Sequence, residues 1–148
     1  MPEQMRLVIV CAALVAAVPA SAQQLELPAV DISVGVHLIH AELADTYATR
    51  MQGLMFRESL APNSGMLFDF EQDDLHCMWM KNTLIPLSVA FIDDQGEIVN
   101  IADMKPQTEE AHCAKRPVRF ALEMSKGWFA ERGIRPGRKL RGLEKLAR

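Results

Sequence analysis

The stretch from His76 to Val99, HCMWMKNTLIPLSVAFIDDQGEIV, concentrates the side chains most able to do chemistry. Lys81 offers an ammonium donor, Asn82 an amide that both donates and accepts, and Thr83 a hydroxyl. They follow the indole of Trp79, and an apolar wall beside a few fixed polar groups is the composition of a ligand site. Such a set suits an anionic or polyhydroxylated ligand. The competing account is a turn whose side chains hydrogen-bond their own backbone before Pro86 sets the chain direction. Strand alternation would put His76, Met78 and Met80 on one face, and with His112 these imidazole and thioether donors could hold copper. Neighbours on that face are about 6.5 to 7 Å apart, too far for one ion without a bend. Packing explains methionines there equally well, since they fill irregular apolar gaps. No other cofactor signature is present, and none is expected.

Hydrolytic chemistry is less well supplied. Asp93, Asp94 and Glu97 surround a turn, whereas a glycosidase needs two carboxyls across one cleft. Ser88, His76 and Asp93 lack the G-x-S-x-G elbow that places a nucleophilic serine on a strained turn. Glu123 interrupts an apolar strand, where an unpaired carboxylate would be costly, so an arginine or lysine partner is expected beside it. Cys77 and Cys113 are the thiols beyond the N-terminal segment; a disulfide, two buried thiols and metal ligation all remain open, and no Cys-x-x-Cys pair suggests redox exchange.

The elements that would position these groups are short. From Val30 to Leu38 apolar residues fall on even positions, which suits one strand or two joined near Gly35. Thr46 is placed to cap a short helix ending near Gly53, and Pro62-Asn63-Ser64-Gly65 signals a turn before the strand MLFDF. Further strands are expected at 75–80, 87–92, 97–103 and 118–124, with a hairpin at Asp93 to Gly96. A second helix after Ser125 closes at Gly133, and Pro136-Gly137 turns toward a last strand near Leu140. No βαβ rhythm occurs. The pattern predicts a mainly β, antiparallel domain, a compact two-layer sandwich or distorted barrel of short strands with one or two short helices. Its expected core is Val34, Val36, Leu38, Leu54, Phe68, Trp79, Leu87, Val89, Phe91, Ile101, Phe120, Leu122 and Trp128.

Residues 1–22 read as a cleavable export peptide: Arg6, an apolar run from Leu7 to Val18, then Ala20-Ser21-Ala22 before Gln23. The run is too short to anchor in a membrane, so no integral membrane segment is expected after cleavage. A lead-in or first strand over 23–35, one domain over 36–143 and a tail over 144–148 follow. The formal net charge of −3 and the interrupted basic stretch after Lys126 give no concentrated surface for nucleic acid. A periplasmic or secreted location is expected, with a small molecule or envelope component as partner.

Several segments in order carry a resemblance: GLMFRESL at 53–60, GMLFDF at 65–70, WMKNTLIPL at 79–87, AFIDDQGEIV at 90–99 and RFALEMSKGWFAERGIRPG at 119–137. Together they resemble the domain of unknown function 192 family over about residues 36–143. The resemblance implies a compact, mainly β, often exported domain, and it implies no settled activity. It marks Arg57, Trp79, Lys81, Asn82 and Thr83 as candidates for a shared surface or a shared structural knot. Ser88 stands where the family often has aspartate, and Thr49 where it often has glutamate. The function expected is an exported small-ligand-binding or accessory domain of the cell envelope. The alternatives are a hydrolase acting on a carbohydrate or other polar polymer, and periplasmic copper binding.

Overall fold

The computed structural model describes residues 26–146; the expected export peptide lies outside them. β1 (Ala29–Val34) and β2 (His37–Ala44) form a hairpin around Gly35 and Val36. Burial falls on Ile32 and Val34 in β1 but on Ile39, Ala41 and Leu43 in β2, because the two-residue turn resets the inward phase. Val36 at the tip and Leu38 on the outer face are therefore 94% and 64% exposed, which corrects their expected place in the core.

α1 (Tyr47–Gln52) begins at a reciprocal cap, in which Thr49 N–H donates to Thr46 Oγ1 and Thr46 N–H donates to Thr49 Oγ1. Gly53, with φ of 48°, ends it in a conformation that glycine adopts without steric cost. β3 (Ser64–Asp74) then pairs with β2 in parallel. Parallel neighbours need a crossover, and α1 with residues 53–63 is that crossover. This ladder departs from the all-antiparallel expectation, since periodicity reports which face is buried and not which way the neighbour runs.

β4 (Cys77–Met78) and β7 (His112–Cys113) make a separate two-stranded ribbon. β5 (Leu87–Ile92) and β6 (Ile98–Met104) form the expected hairpin, and β8 (Val118–Ser125) inserts between β5 and β3. α2 (Trp128–Glu131) follows, then β9 (Leu140–Arg141) beside β1. The main sheet runs β6-β5-β8-β3-β2-β1-β9 and curls into a half-barrel, so the fold is mainly β with two short helices.

Both faces of this sheet are covered. One buries Ile32, Ile39, Leu67, Phe120 and Leu122 under Trp128, Phe129 and Ile134. The other buries Met66, Phe68, Leu87, Val89 and Phe91 under Leu54, Met80 and Ala114. Double coverage explains why β5 is buried along its whole length and shows no alternation in sequence. Of the remaining expected core, Ile101 is half-buried and Trp79 is 39% exposed.

The centre of the sheet tolerates no added bulk. A Cβ at Gly65 would collide with the Glu123 carbonyl oxygen and Met124 Sδ on the neighbouring strand. Gly65→Ala should therefore lower unfolding free energy by about 2 kcal/mol in urea titration, the cost of overpacking a tight interior. An unchanged midpoint would show that β3 and β8 can separate at that point.

Candidate functional site

The Lys81-Asn82-Thr83 triplet forms a tight turn and not a strand end. Thr83 N–H donates to Met80 O at 3.1 Å, and Thr83 Oγ1 donates to Lys81 O at 3.2 Å. Asn82 has φ of 52°, a left-handed conformation that asparagine tolerates better than most residues. Phe56 N–H donates to Asn82 O at 2.9 Å, which docks the segment after α1 onto the turn. Thr83 is buried, whereas Lys81 and Asn82 are exposed. The Lys81 ammonium lies 5.3 Å from the Trp79 ring centroid and 4.0 Å from a Glu109 carboxylate oxygen. Arg57 is placed elsewhere: its Nη2 donates to Glu42 Oε1 at 2.8 Å, and it borders openings shared with Leu27 and Ser59.

Next to the turn, a cavity of about 30 Å³ is lined by Trp79, Thr83 and Glu123. α1 contributes Arg50 and Met51 to its wall, and the following turn contributes Gly53, Leu54 and Met55. Phe68 of β3 and Met78 of the ribbon complete the apolar lining. Glu123 sits on β8 between Met66 and Val89, its register partners on the adjoining strands. It is only 3% exposed, and its carboxyl makes no hydrogen bond or ion pair among the described residues. Burial alone pushes its pKa from 4.5 up to about 8, so at neutral pH the group is mostly the uncharged acid.

Among the described residues, the cationic partner expected for Glu123 is absent. Arg50 is the other charged residue in the wall, and its Nη1 donates to the backbone oxygens of Asp45 and Asp69, both at 2.8 Å. The Asp69 carboxylate is itself held by Arg119, which donates through Nε and Nη2 at 3.1 Å each. Sequence reasoning singled out Glu123 and Trp79 separately but did not join them, and it missed Met51, Leu54 and Met55 as their neighbours. The crossover from β2 to β3 brings those residues over β8, and no local pattern encodes it.

The four donors considered for copper do not share one open face. Met80 is fully buried, and the His76 ring is stacked on Phe70 at 3.9 Å with Nε2 2.9 Å from Gln72 O. His112 pairs in register with Met78, and its Nε2 is buried without a hydrogen-bond partner. Among the described residues no three His, Cys, Asp or Glu side chains are grouped to hold a metal. Cys77 and Cys113 face each other across the ribbon and are joined as a disulfide.

Of the carboxylates and serine considered for hydrolysis, Asp93, Glu97 and Ser88 are held within the scaffold, and Asp94 is exposed at the turn. Asp93 Oδ1 accepts from the Gln95 and Glu97 amides, and Arg116 bridges Asp93 and Glu97. Ser88 Oγ donates to Asp103 Oδ1 at 2.6 Å and accepts from Gly127 N–H at 3.0 Å. Asp103 thus supplies across the hairpin a carboxylate near the position where Ser88 replaces one. These two residues border a larger cavity, about 310 Å³, floored by Phe129 and Ile134. Its size exceeds that of the Glu123 cavity, but the polar groups of its serine and aspartate are already paired with each other.

With this geometry, the chain can be set beside known proteins. A profile of the uncharacterized ACR family DUF192 matches residues 30–142. The chain is similar to a solved Sinorhizobium meliloti 1021 protein, described as a candidate transcription regulator, with 34% identity and a TM-score of 0.78. That match covers 80% of this chain and 97% of the other. It is also similar to a protein of unknown function from Novosphingobium aromaticivorans DSM 12444, with 37% identity, a TM-score of 0.76 and coverage of 84% and 93%. No curated protein matches it. No helix among the described residues is long and apolar enough to cross a membrane.

Proposed function

Because this chain belongs to the DUF192 family, we propose that it is an exported binding domain whose ligand enters at Trp79 and reaches the Glu123 carboxyl. One observation carries this reading: Glu123 is 3% exposed and has no hydrogen-bond partner among the described residues, yet its side chain lines a cavity. A buried carboxyl without a hydrogen bond is expensive, and such a defect is characteristic of a functional site rather than a structural one. Trp79 and Met51 are exposed at the same place and supply an apolar mouth. A buried acid facing inward favours a ligand that donates hydrogen bonds, in place of the anionic ligand suggested by Lys81 alone.

Recognition is better supported here than hydrolysis. The cavity wall carries one carboxyl, and its hydroxyl, Thr83 Oγ1, already donates to a backbone oxygen. A small-fragment screen followed by amide NMR should give shifts concentrated at Gly53, Leu54, Met78, Trp79 and Thr83. Trp79→Ala should weaken the best fragment about tenfold, equivalent to about 1.4 kcal/mol. Shifts confined to the Ser88 and Ile134 cavity would relocate the site and defeat the proposal.

A further inference from the structure

We propose that the group received by the Glu123 cavity is a primary ammonium carried on a short apolar stem. This rests on the binding reading above and assigns the chemistry of its ligand. The first argument is size. The cavity, about 30 Å³, has room for one or two water-sized groups. An –NH₃⁺ head fits that space, whereas a planar guanidinium or a quaternary ammonium does not.

The second argument is charge and its surroundings. An ammonium brings three donors and no acceptor, which matches the acceptor-only carboxylate that Glu123 becomes when it gives up its proton. Phe68 and Trp79 line the same cavity, and aromatic faces attract cations. Trp79 already displays that property, since it holds the Lys81 ammonium over its ring. Arg50 does not occupy the acid, because its Nη1 is committed to two carbonyl oxygens. The adjoining strands present Met66 and Val89 in register with Glu123, and Arg50 is the other charged residue in the wall. The apolar stem of the ligand would lie against Met51 and Trp79, both exposed at the mouth.

Binding at neutral pH exchanges one proton. The Glu123 O–H bond breaks, its proton passes to solvent, and the ammonium retains its own three protons in an ion pair with the new carboxylate. Affinity should consequently rise about tenfold from pH 6 to pH 7 and level off above the raised pKa of about 8.

The test uses methylammonium, n-propylammonium, guanidinium, tetramethylammonium, n-propanol and acetamide, titrated by calorimetry in two buffers of different ionisation enthalpy. Methylammonium and n-propylammonium should bind, the longer stem up to about fourfold more tightly per methylene, with buffer-dependent heat from the released proton. Glu123→Gln should weaken n-propylammonium about a hundredfold. Lys81→Met should strengthen it by removing a competing ammonium from Trp79, the opposite of what an anionic ligand would show. Equal binding of guanidinium and tetramethylammonium, or Glu123-dependent binding of propanol or acetamide without the amines, would overturn the ammonium while leaving the cavity a binding site. Silence from every compound at both pH values would remove the site as well.

Discussion

Glu123→Gln should stabilise the protein by about 3 kcal/mol at pH 7, because it removes an acid that folding forces to stay protonated. The unfolded chain ionises this group near its ordinary value of 4.5, whereas the folded chain holds the proton until about pH 8. A raised folded-state pKa gives stability that is fully present below the unfolded value and is lost as pH rises through the folded one. The native protein should therefore lose stability steadily between about pH 5 and 8, and the glutamine variant should not. Urea unfolding of both proteins at pH 5, 6, 7 and 8 measures the difference directly. Two curves that stay parallel would mean that Glu123 finds a donor in solution, and the binding proposal would lose its support. A gain in stability alongside a loss of ligand would identify Glu123 as a residue retained at the expense of the fold.

The second large effect concerns the ribbon. Reduction of Cys77–Cys113, or the Cys77→Ser and Cys113→Ser double variant, frees a chain segment with a sequence separation of 36 residues. On chain entropy alone this costs about 4 kcal/mol, measurable as a lower urea midpoint with a somewhat steeper slope, because the freed denatured chain exposes more surface. The ribbon has two residues in each strand, and Asn100 ties it to β6 by donating through Nδ2 to Cys113 O at 3.2 Å. Met78 and Trp79 follow Cys77 directly, so the same variant should also weaken ligand binding at the Glu123 cavity. A loss below about 1 kcal/mol would show that the ribbon detaches without cooperating with the sheet.

How far the sequence announces this fold depends on the distance over which each signal acts. The Thr46 cap, the Gly53 stop, the Asp93 to Gly96 hairpin and the Asn63 turn are legible because each is decided within a few residues. The strand expected over 75–80 shrinks to Cys77 and Met78, since Met80 N–H bonds to Thr108 O in a loop and not to a strand partner. Val36 and Leu38 mislead because an unbroken even alternation spans a hairpin turn, on whose far side the phase reverses. The cavity is the least legible feature. Gly53, Trp79 and Glu123 belong to separate elements, and a parallel ladder that leaves no mark on periodicity brings the first of them over the last. Asparagine and threonine in the central triplet have a backbone task that alternation alone does not reveal: one takes the left-handed position, and the other closes the turn.

The crossover between β2 and β3 bears on how the chain reaches this state. Gly65 must meet Met124, and Asp74 must meet Val118, before the central ladder exists, while β3 waits on β2 across the whole helix and loop. Sheets assembled from such distant partners close in about milliseconds to seconds, far slower than helical bundles. During that interval the polypeptide remains threadable, as the export proposed above would require. The covalent link at Cys77 would then fasten a structure that has already chosen its partners.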